Sequence, residues 1–510
     1  MIGRQFAESK RFLLTAVALS GSLCSASVLA APGEAACTKL STAAVPNTKI
    51  SSAKEVAASE AVKTPAFCEV TAVVSPVQGS HVGVVYRLPD NWNGKLLGLG
   101  GGGWAGNVHF EAAAQGLAKG YATAQTDGGH EATDLWNTTW AASPAAVDDF
   151  AHRAIHVMTT TGKSVVAKYY GQSQKRAYFQ GCSTGGRQAL MEVQRYPDDY
   201  NGVIAGAPVY TLTTQTMGML RSLAFSKPGA SVTSAQLAHL NQAALAACDA
   251  QDGLKDGIVT DPRMCQLDPA VIQCKAGESG DSCLTPAQVA AVKTLYDGIK
   301  TSSGEYASYP ISRGSELGWD RFISTAQATT GPALATTVAG AGIGGLRTAL
   351  FGNADFDLAT FNPDRDYKVV RGSEFAKAYE AKNPNIAPFI SKGGKLILWH
   401  GFDDPGPSPL ATIDYYENVR KVTADKAGPL DASVRFFIAP GVYHCRGGPG
   451  ADTFDSIAAM DEWVEKGKAP DTMLASRQDG KFTRPLCRYP KLPRYKGTGD
   501  ANSAESFECK

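Results

Sequence analysis

The stretch Tyr178-Phe179-Gln180-Gly181-Cys182-Ser183-Thr184-Gly185-Gly186-Arg187-Gln188 reads as strand, sharp turn and helix, with Ser183 at the tip. Gly181-x-Ser183-x-Gly185 fits the nucleophile-elbow pattern. Glycines flank the serine there because the turn is strained and the strand and helix approach closely. Alone the match is weak, since 53 glycines in 510 residues make one such hit unsurprising. It gains force if the chain also supplies a base, an orienting acid and oxyanion donors.

The surrounding segments supply a sheet. His81–Leu88, Lys95–Leu99, Tyr121–Gln125, Asn201–Ala207, Lys395–Trp399 and Val434–Ile438 read as strands. Asp149–Tyr170, Gly186–Arg195 and Leu410–Val422 have helical periodicity. Strands alternating with helices imply a doubly wound, mostly parallel sheet. From Val209 to Ile390 strand signals thin, and four cysteines cluster between 248 and 283. That segment reads as an inserted lid. The expected division is therefore a signal peptide over 1–30, a first sheet part over 31–208, the lid over 209–390, and a second sheet part over 391–510. Residues 31–67 are small and polar and give no element.

Composition narrows the class. The chain is 44% hydrophobic and 19% charged with a net charge of +1, so no nucleic-acid partner is implied. Arg4, Lys10 and Arg11 precede a short apolar run, Phe12–Leu19, and Val28-Leu29-Ala30 suits cleavage. The run falls short of the ~20 residues of a spanning helix, so no membrane anchor remains after cleavage. Ten cysteines follow the leader, an even number that suggests five disulfides in a secreted or periplasmic protein. Cys248/Cys265, Cys274/Cys283 and Cys487/Cys509 are natural local staples.

Ser183, then an acid after the strand 395–399, then His444 after the strand 434–438, is the Ser…Asp…His order of α/β-hydrolases. A serine hydroxyl needs a histidine to take its proton, and an acid to hold that histidine in one tautomer. The acid is Asp403 or Asp404. His400, just before it, reads as structural, and His130 as a turn-stabilising residue. Gly100-Gly101-Gly102-Gly103, straight after a strand, reads as an oxyanion loop. Cys182 precedes Ser183 and Cys445 follows His444; if bonded, they bring Ser183 and His444 together across more than 250 residues.

These motifs resemble the tannase/feruloyl esterase group of α/β-hydrolases, which includes mono(2-hydroxyethyl) terephthalate hydrolases. The resemblance rests on Gly181-Cys182-Ser183-x-Gly185-Gly186, His400-Gly401-x-x-Asp404 and His444-Cys445. It implies an α/β-hydrolase fold with a large lid, catalytic Ser183, Asp404 and His444, and a Cys182–Cys445 bridge. It also implies a Cys37–Cys68 pair, and an oxyanion hole from the backbone N–H groups of Thr184 and Gly103.

Three carboxylates lie in Cys248-Asp249-x-x-Asp252-Gly253-Leu254-x-Asp256-Gly257-Ile258, with glycines for tight turns, as in a Ca²⁺ loop. The resemblance implies a structural calcium held by Asp249, Asp252 and Asp256 and by the carbonyls of Leu254 and Ile258. No organic cofactor is expected. The expectation is a serine esterase acting on small esters of aromatic acids. Terephthalate monoester hydrolysis, with Arg347 on the substrate carboxylate, is the alternative within that class. A non-catalytic binding protein is the rival outside it.

Overall fold

The computed structural model describes residues 33–131, 135–325 and 344–510. The leader expected over 1–30 lies outside them. The strands up to the histidine loop are β1 (Thr48–Val56), β2 (Phe67–Val74), β3 (Val82–Pro89), β4 (Lys95–Leu99), β5 (Ala122–Thr126), β6 (Arg176–Cys182), β7 (Gly202–Gly206), β8 (Ile299–Lys300), β9 (Tyr306–Ser308), β10 (Lys395–Gly401) and β11 (Val434–Ala439). Nine of them form one sheet in the order β1-β2-β3-β5-β4-β6-β7-β10-β11. Pairing is antiparallel from β1 to β5 and parallel from β5 to β11. This is an α/β-hydrolase sheet.

Alternate residues feed two cores. Leu396 and Leu398 of β10 join Phe179, Val203, Ala205, Phe436 and Ile438. Ile397 and Trp399 join Tyr178, Ile204 and Phe437. Strands buried on both faces read as unbroken apolar runs, which is why Lys395–Trp399 was legible. Helices α1 (Phe110–Ala118) and α6 (Ser456–Lys466) cover the second face through Leu117, Met460 and Trp463. Helices α2 (Ala154–Tyr170), α3 (Thr184–Arg195) and α5 (Pro409–Ala427) cover the first.

Two local expectations are corrected. The segment expected to give no element is structured over 33–67, with a helix at Gly33–Leu40 and all of β1. β1 is an edge strand with no fully buried residue, so its sequence need not alternate. Helix α3 starts at Thr184 rather than Gly186, because the Ser183 carbonyl already accepts the Arg187 N–H.

Between β7 and β10 runs a long insertion. It opens with α4 (Leu212–Phe225) and contains the β8–β9 ladder and a core around Phe225, Leu240 and Trp319. A further cluster joins Leu346, Leu350 and Tyr379 of the insertion to Trp104 beside the Gly-rich loop. Pro32–Lys510 forms one compact unit. The five disulfides are Cys37–Cys68, Cys182–Cys445, Cys248–Cys265, Cys274–Cys283 and Cys487–Cys509. Among the described residues no helix is long and apolar enough to cross a membrane.

The elbow needs its glycines. A Cβ on Gly181 would stand 2.5 Å from the Gly185 carbonyl carbon, and one on Gly186 would overlap the Gly206 carbonyl oxygen. Gly186→Ala is therefore expected to lower unfolding free energy by about 1–3 kcal/mol, read from urea denaturation. An unchanged midpoint would contradict this packing.

Candidate active site

Ser183 ends β6 with φ +63° and ψ −122°, a left-handed-side conformation that a serine rarely adopts. That turn lifts Oγ out at the carboxyl end of the parallel strands. The Ser183 N–H donates to Gly206 O at 3.0 Å, which fixes the turn against β7.

His444 lies in the loop after β11. Its Nε2 is 2.8 Å from Ser183 Oγ, and its Nδ1 is 2.7 Å from Asp404 Oδ2. Asp404 follows β10 and is 1% exposed. Its Oδ2 also faces His400 Nε2 at 3.0 Å, and its Oδ1 accepts the Gly406 N–H at 2.8 Å. An ionised carboxylate only accepts, so both imidazoles turn an N–H toward it. His444 Nε2 is then left as an acceptor for the serine O–H. His400 Nε2 also faces Pro407 O at 3.1 Å, and its Nδ1 accepts from Thr412 Oγ1 at 2.8 Å. Burial opposes ionisation of Asp404, but the charge and hydrogen bonds of the two histidines outweigh it and pull the carboxyl down to about 2.

Asp403, the other candidate acid, points elsewhere. It is fully buried, and among the described residues neither carboxyl oxygen has a hydrogen-bond partner. Burial, and then the charge of Glu316, push it well above the usual carboxylate range. Glu316 is also buried, accepting from Tyr296 Oη at 2.6 Å and Asn241 Nδ2 at 2.8 Å.

The Gly-rich loop docks onto the start of α3. Gly185 N–H donates to Gly101 O at 2.9 Å, Gly101 N–H to Gln188 Oε1 at 2.9 Å, and Thr184 Oγ1 to Gly103 O at 2.6 Å. Thr184 N–H stands at the first position of α3, where an amide has no intrahelical acceptor. Among the described residues neither it nor the Gly103 N–H donates a hydrogen bond. The structure thus gathers Ser183, Asp404, His444, Thr184 and Gly103. Cys182–Cys445, with Cα atoms 6.0 Å apart, links the residue before Ser183 to the residue after His444.

Arg347 stands apart from this network. It opens the short helix Arg347–Phe351, is half-buried, and its Nε has no hydrogen-bond partner among the described residues. Two residues escaped the sequence reading. Phe322 sets its ring edge-on to His444, with centroids 5.0 Å apart. Arg221 of α4 donates from Nη1 to Pro405 O and Gly406 O, both at 2.8 Å. No local pattern marks either residue, because each meets the site only through the path of the insertion. His130 holds Trp104 O at 2.7 Å and stacks on Trp140.

The acidic loop is tightly turned. Asp249 Oδ1 accepts the N–H of Asp256 at 3.2 Å and of Ile258 at 3.3 Å, and its Oδ2 accepts that of Gly257 at 3.0 Å. Asp252 accepts from Leu254 N–H at 3.1 Å and Thr260 Oγ1 at 2.8 Å. Asp256 Oδ2 meets Arg484 at 2.6 Å, while its Oδ1 is buried without a partner. Burial raises both Asp252 and Asp256, with neighbouring carboxylates adding to it. A cavity of about 20 Å³, room for one small ion or water, touches Asp252, Asp256, Ile258 and Thr260. Among the described residues no three acidic, histidine or cysteine side chains converge as a cage. Carbonyl oxygens would have to complete any hard-cation site, and the oxygen-only donor set is of the kind calcium takes.

A mostly parallel sheet with a serine on a strained strand–helix turn defines an α/β-hydrolase. The profile of the family described as tannase and feruloyl esterase matches residues 68–510. A probable feruloyl esterase of Arthroderma benhamiae is 35% identical over 84% of this chain and 82% of its own. A mono(2-hydroxyethyl) terephthalate hydrolase of Piscinibacter sakaiensis is 32% identical over 89% of this chain and 86% of its own. The crystal structure of feruloyl esterase B from Aspergillus oryzae superposes with a TM-score of 0.82 at 29% identity, covering 94% of this chain and 100% of that one. The chain belongs to the tannase and feruloyl esterase family and is a carboxylic-ester hydrolase.

The state of Asp403 is open to test. A carboxyl raised in the folded state adds stability below its unfolded pKa of ~4, and that stability is lost as pH climbs toward the folded value. Asp403→Asn has no such proton to lose. Its melting temperature is expected to fall less between pH 5 and pH 8 than that of the wild type, read by calorimetry. Parallel curves would mean that Asp403 ionises without penalty.

Proposed function

We propose that the protein is a serine esterase for esters of aromatic and phenolic acids, with Ser183 as nucleophile, His444 as base and Asp404 as its orienting acid. The observation that carries the reading is the unbroken hydrogen-bond chain from Ser183 Oγ through His444 to buried Asp404. Ser183 Oγ attacks the ester carbonyl while His444 Nε2 takes its proton. The carbonyl oxygen becomes an oxyanion held by the N–H groups of Thr184 and Gly103. His444 then gives the proton to the departing alkoxide, leaving an acyl-serine. Water, deprotonated by His444, attacks that acyl group; the bond to Ser183 Oγ breaks as His444 returns the proton to it, and the acid is released. Phe322 keeps bulk water off one side of His444.

The insertion is the lid of this reading and the source of its aromatic-acid pocket. A second reading, terephthalate monoester hydrolysis, would set the half-buried Arg347, whose Nε has no hydrogen-bond partner among the described residues, on the substrate carboxylate. Five disulfides support export, either secreted or periplasmic.

With 4-nitrophenyl acetate, Ser183→Ala is expected to cost about 10⁶-fold in kcat and Asp404→Asn about 10⁴-fold, whereas Asp403→Asn stays active. Loss in Asp403→Asn with activity in Asp404→Asn would reverse the assignment. A panel of methyl ferulate, methyl gallate and mono(2-hydroxyethyl) terephthalate separates the substrates. Arg347→Ala is expected to raise KM only for the last.

We also propose that Asp249, Asp252, Asp256 and the carbonyls of Leu254 and Ile258 hold a structural Ca²⁺ that offsets the charge crowded into this loop. Purified protein should contain about one calcium per chain, and a strong chelator should lower its melting temperature. No bound calcium and no shift would retire the site.

A further inference from the structure

We propose that Arg221 is the positioning residue through which the insertion holds the acid loop, and so Asp404, against His444; this rests on the triad reading above. Arg221 is 1% exposed, and among the described residues it has no ion-pair partner. A guanidinium buried in that way is costly unless its donors are met. Here they are met largely by the acid loop and its support. Nη1 donates to Pro405 O and Gly406 O at 2.8 Å each, Nε to Ser308 Oγ at 3.1 Å, and Nη2 to Tyr309 O at 3.1 Å. Asp404 is the neighbouring charge that favours the cation against burial.

Those contacts complete the turn that follows Asp404. Gly406 N–H goes to Asp404 Oδ1, and Pro407 O faces His400 Nε2. The carbonyls of Pro405 and Gly406 face Arg221. Nη1 alone bridges the two successive carbonyls while Nε and Nη2 of the same plane reach Ser308 Oγ and Tyr309 O, a spread of donors that a lysine ammonium cannot reproduce. At the same turn, a Cβ on Gly406 would stand 3.0 Å from the Phe322 ring. Two residues of the insertion thus bear on the acid loop, Arg221 by hydrogen bonds and Phe322 by its closeness to Gly406, so the insertion positions the acid. If Arg221 is lost, two buried carbonyls lose their donors, and the turn must shift to find others. Asp404 then loses alignment with His444 Nδ1.

The test compares Arg221→Lys and Arg221→Gln with Arg435→Gln. Arg435 is a second buried arginine that donates to a backbone carbonyl, Pro470 O at 3.0 Å, but it lies on β11 away from the acid loop. Two readouts are taken on the full-length protein: kcat for 4-nitrophenyl acetate per phosphonate-titrated active site, and the low-field proton NMR signal of His444 Nδ1–H. Both Arg221 variants are expected to lose about 10–100-fold in kcat per site, with KM little changed and the low-field signal shifted or broadened. Arg435→Gln should retain both. If substitution at 221 prevents folding, Ser308→Ala, which frees only Nε, is expected to lower kcat per site by a smaller factor and to shift the signal. Wild-type kcat per site and an unshifted signal in these variants would overturn the proposal. Ser183→Ala run alongside separates the two readings. If it retains turnover, the triad fails. If it abolishes turnover while the Arg221 variants behave as wild type, only the role of Arg221 fails.

Discussion

Asp404 carries its negative charge at 1% exposure, and the surrounding structure answers the cost of keeping it there. Two imidazole N–H groups and one backbone amide converge on its oxygens. Each donor comes from a different part of the chain: the loop after β11, the end of β10 and the turn after Asp404 itself. A carboxylate satisfied in this way stays ionised far below neutrality. It holds His444 with Nδ1 protonated and Nε2 free toward Ser183. Asp403, one residue away, has no donor on either oxygen among the described residues and cannot do the same work.

The serine side depends on close backbone approach rather than charge. Ser183 sits in a strained conformation because β6, α3 and the Gly-rich loop leave no room for a relaxed turn. The strain is held by backbone hydrogen bonds to β7 and by the Gly101–Gly185 contact. Cys182–Cys445 then ties this rigid elbow to the histidine loop, 263 residues away in sequence. The insertion closes the remaining freedom by placing Phe322 beside His444 and Arg221 behind the acid turn.

Much of this was legible before any coordinates. The runs Lys395–Trp399 and Val434–Ile438 are strands buried on both faces, and such strands announce themselves by hydrophobicity alone. The elbow was legible because only glycine tolerates the contacts at 181 and 186. Ten cysteines beyond residue 30 suggested five disulfides and spacing favoured three local pairs, whereas Cys37–Cys68 and the Cys182–Cys445 bridge came with the family resemblance. β1 was not legible, since an edge strand with no fully buried residue carries no pattern. The choice between Asp403 and Asp404 was closed to residue-by-residue reading, and only the family resemblance favoured Asp404. The two side chains share a turn and differ only in which way each one points.

The sequence by itself determined the parallel sheet, the order Ser183, acid, His444, and the glycines that make the elbow possible. These are local properties, set by period, apolar content and steric tolerance within a few residues. Only the tertiary structure decided which aspartate meets His444, that His400 shares its carboxylate, and that Arg221 and Phe322 reach the site. Those contacts span up to 185 residues, and the longest depend on how the insertion folds back over the sheet. No short window of sequence contains that information, because the partners become neighbours only once the sheet is built.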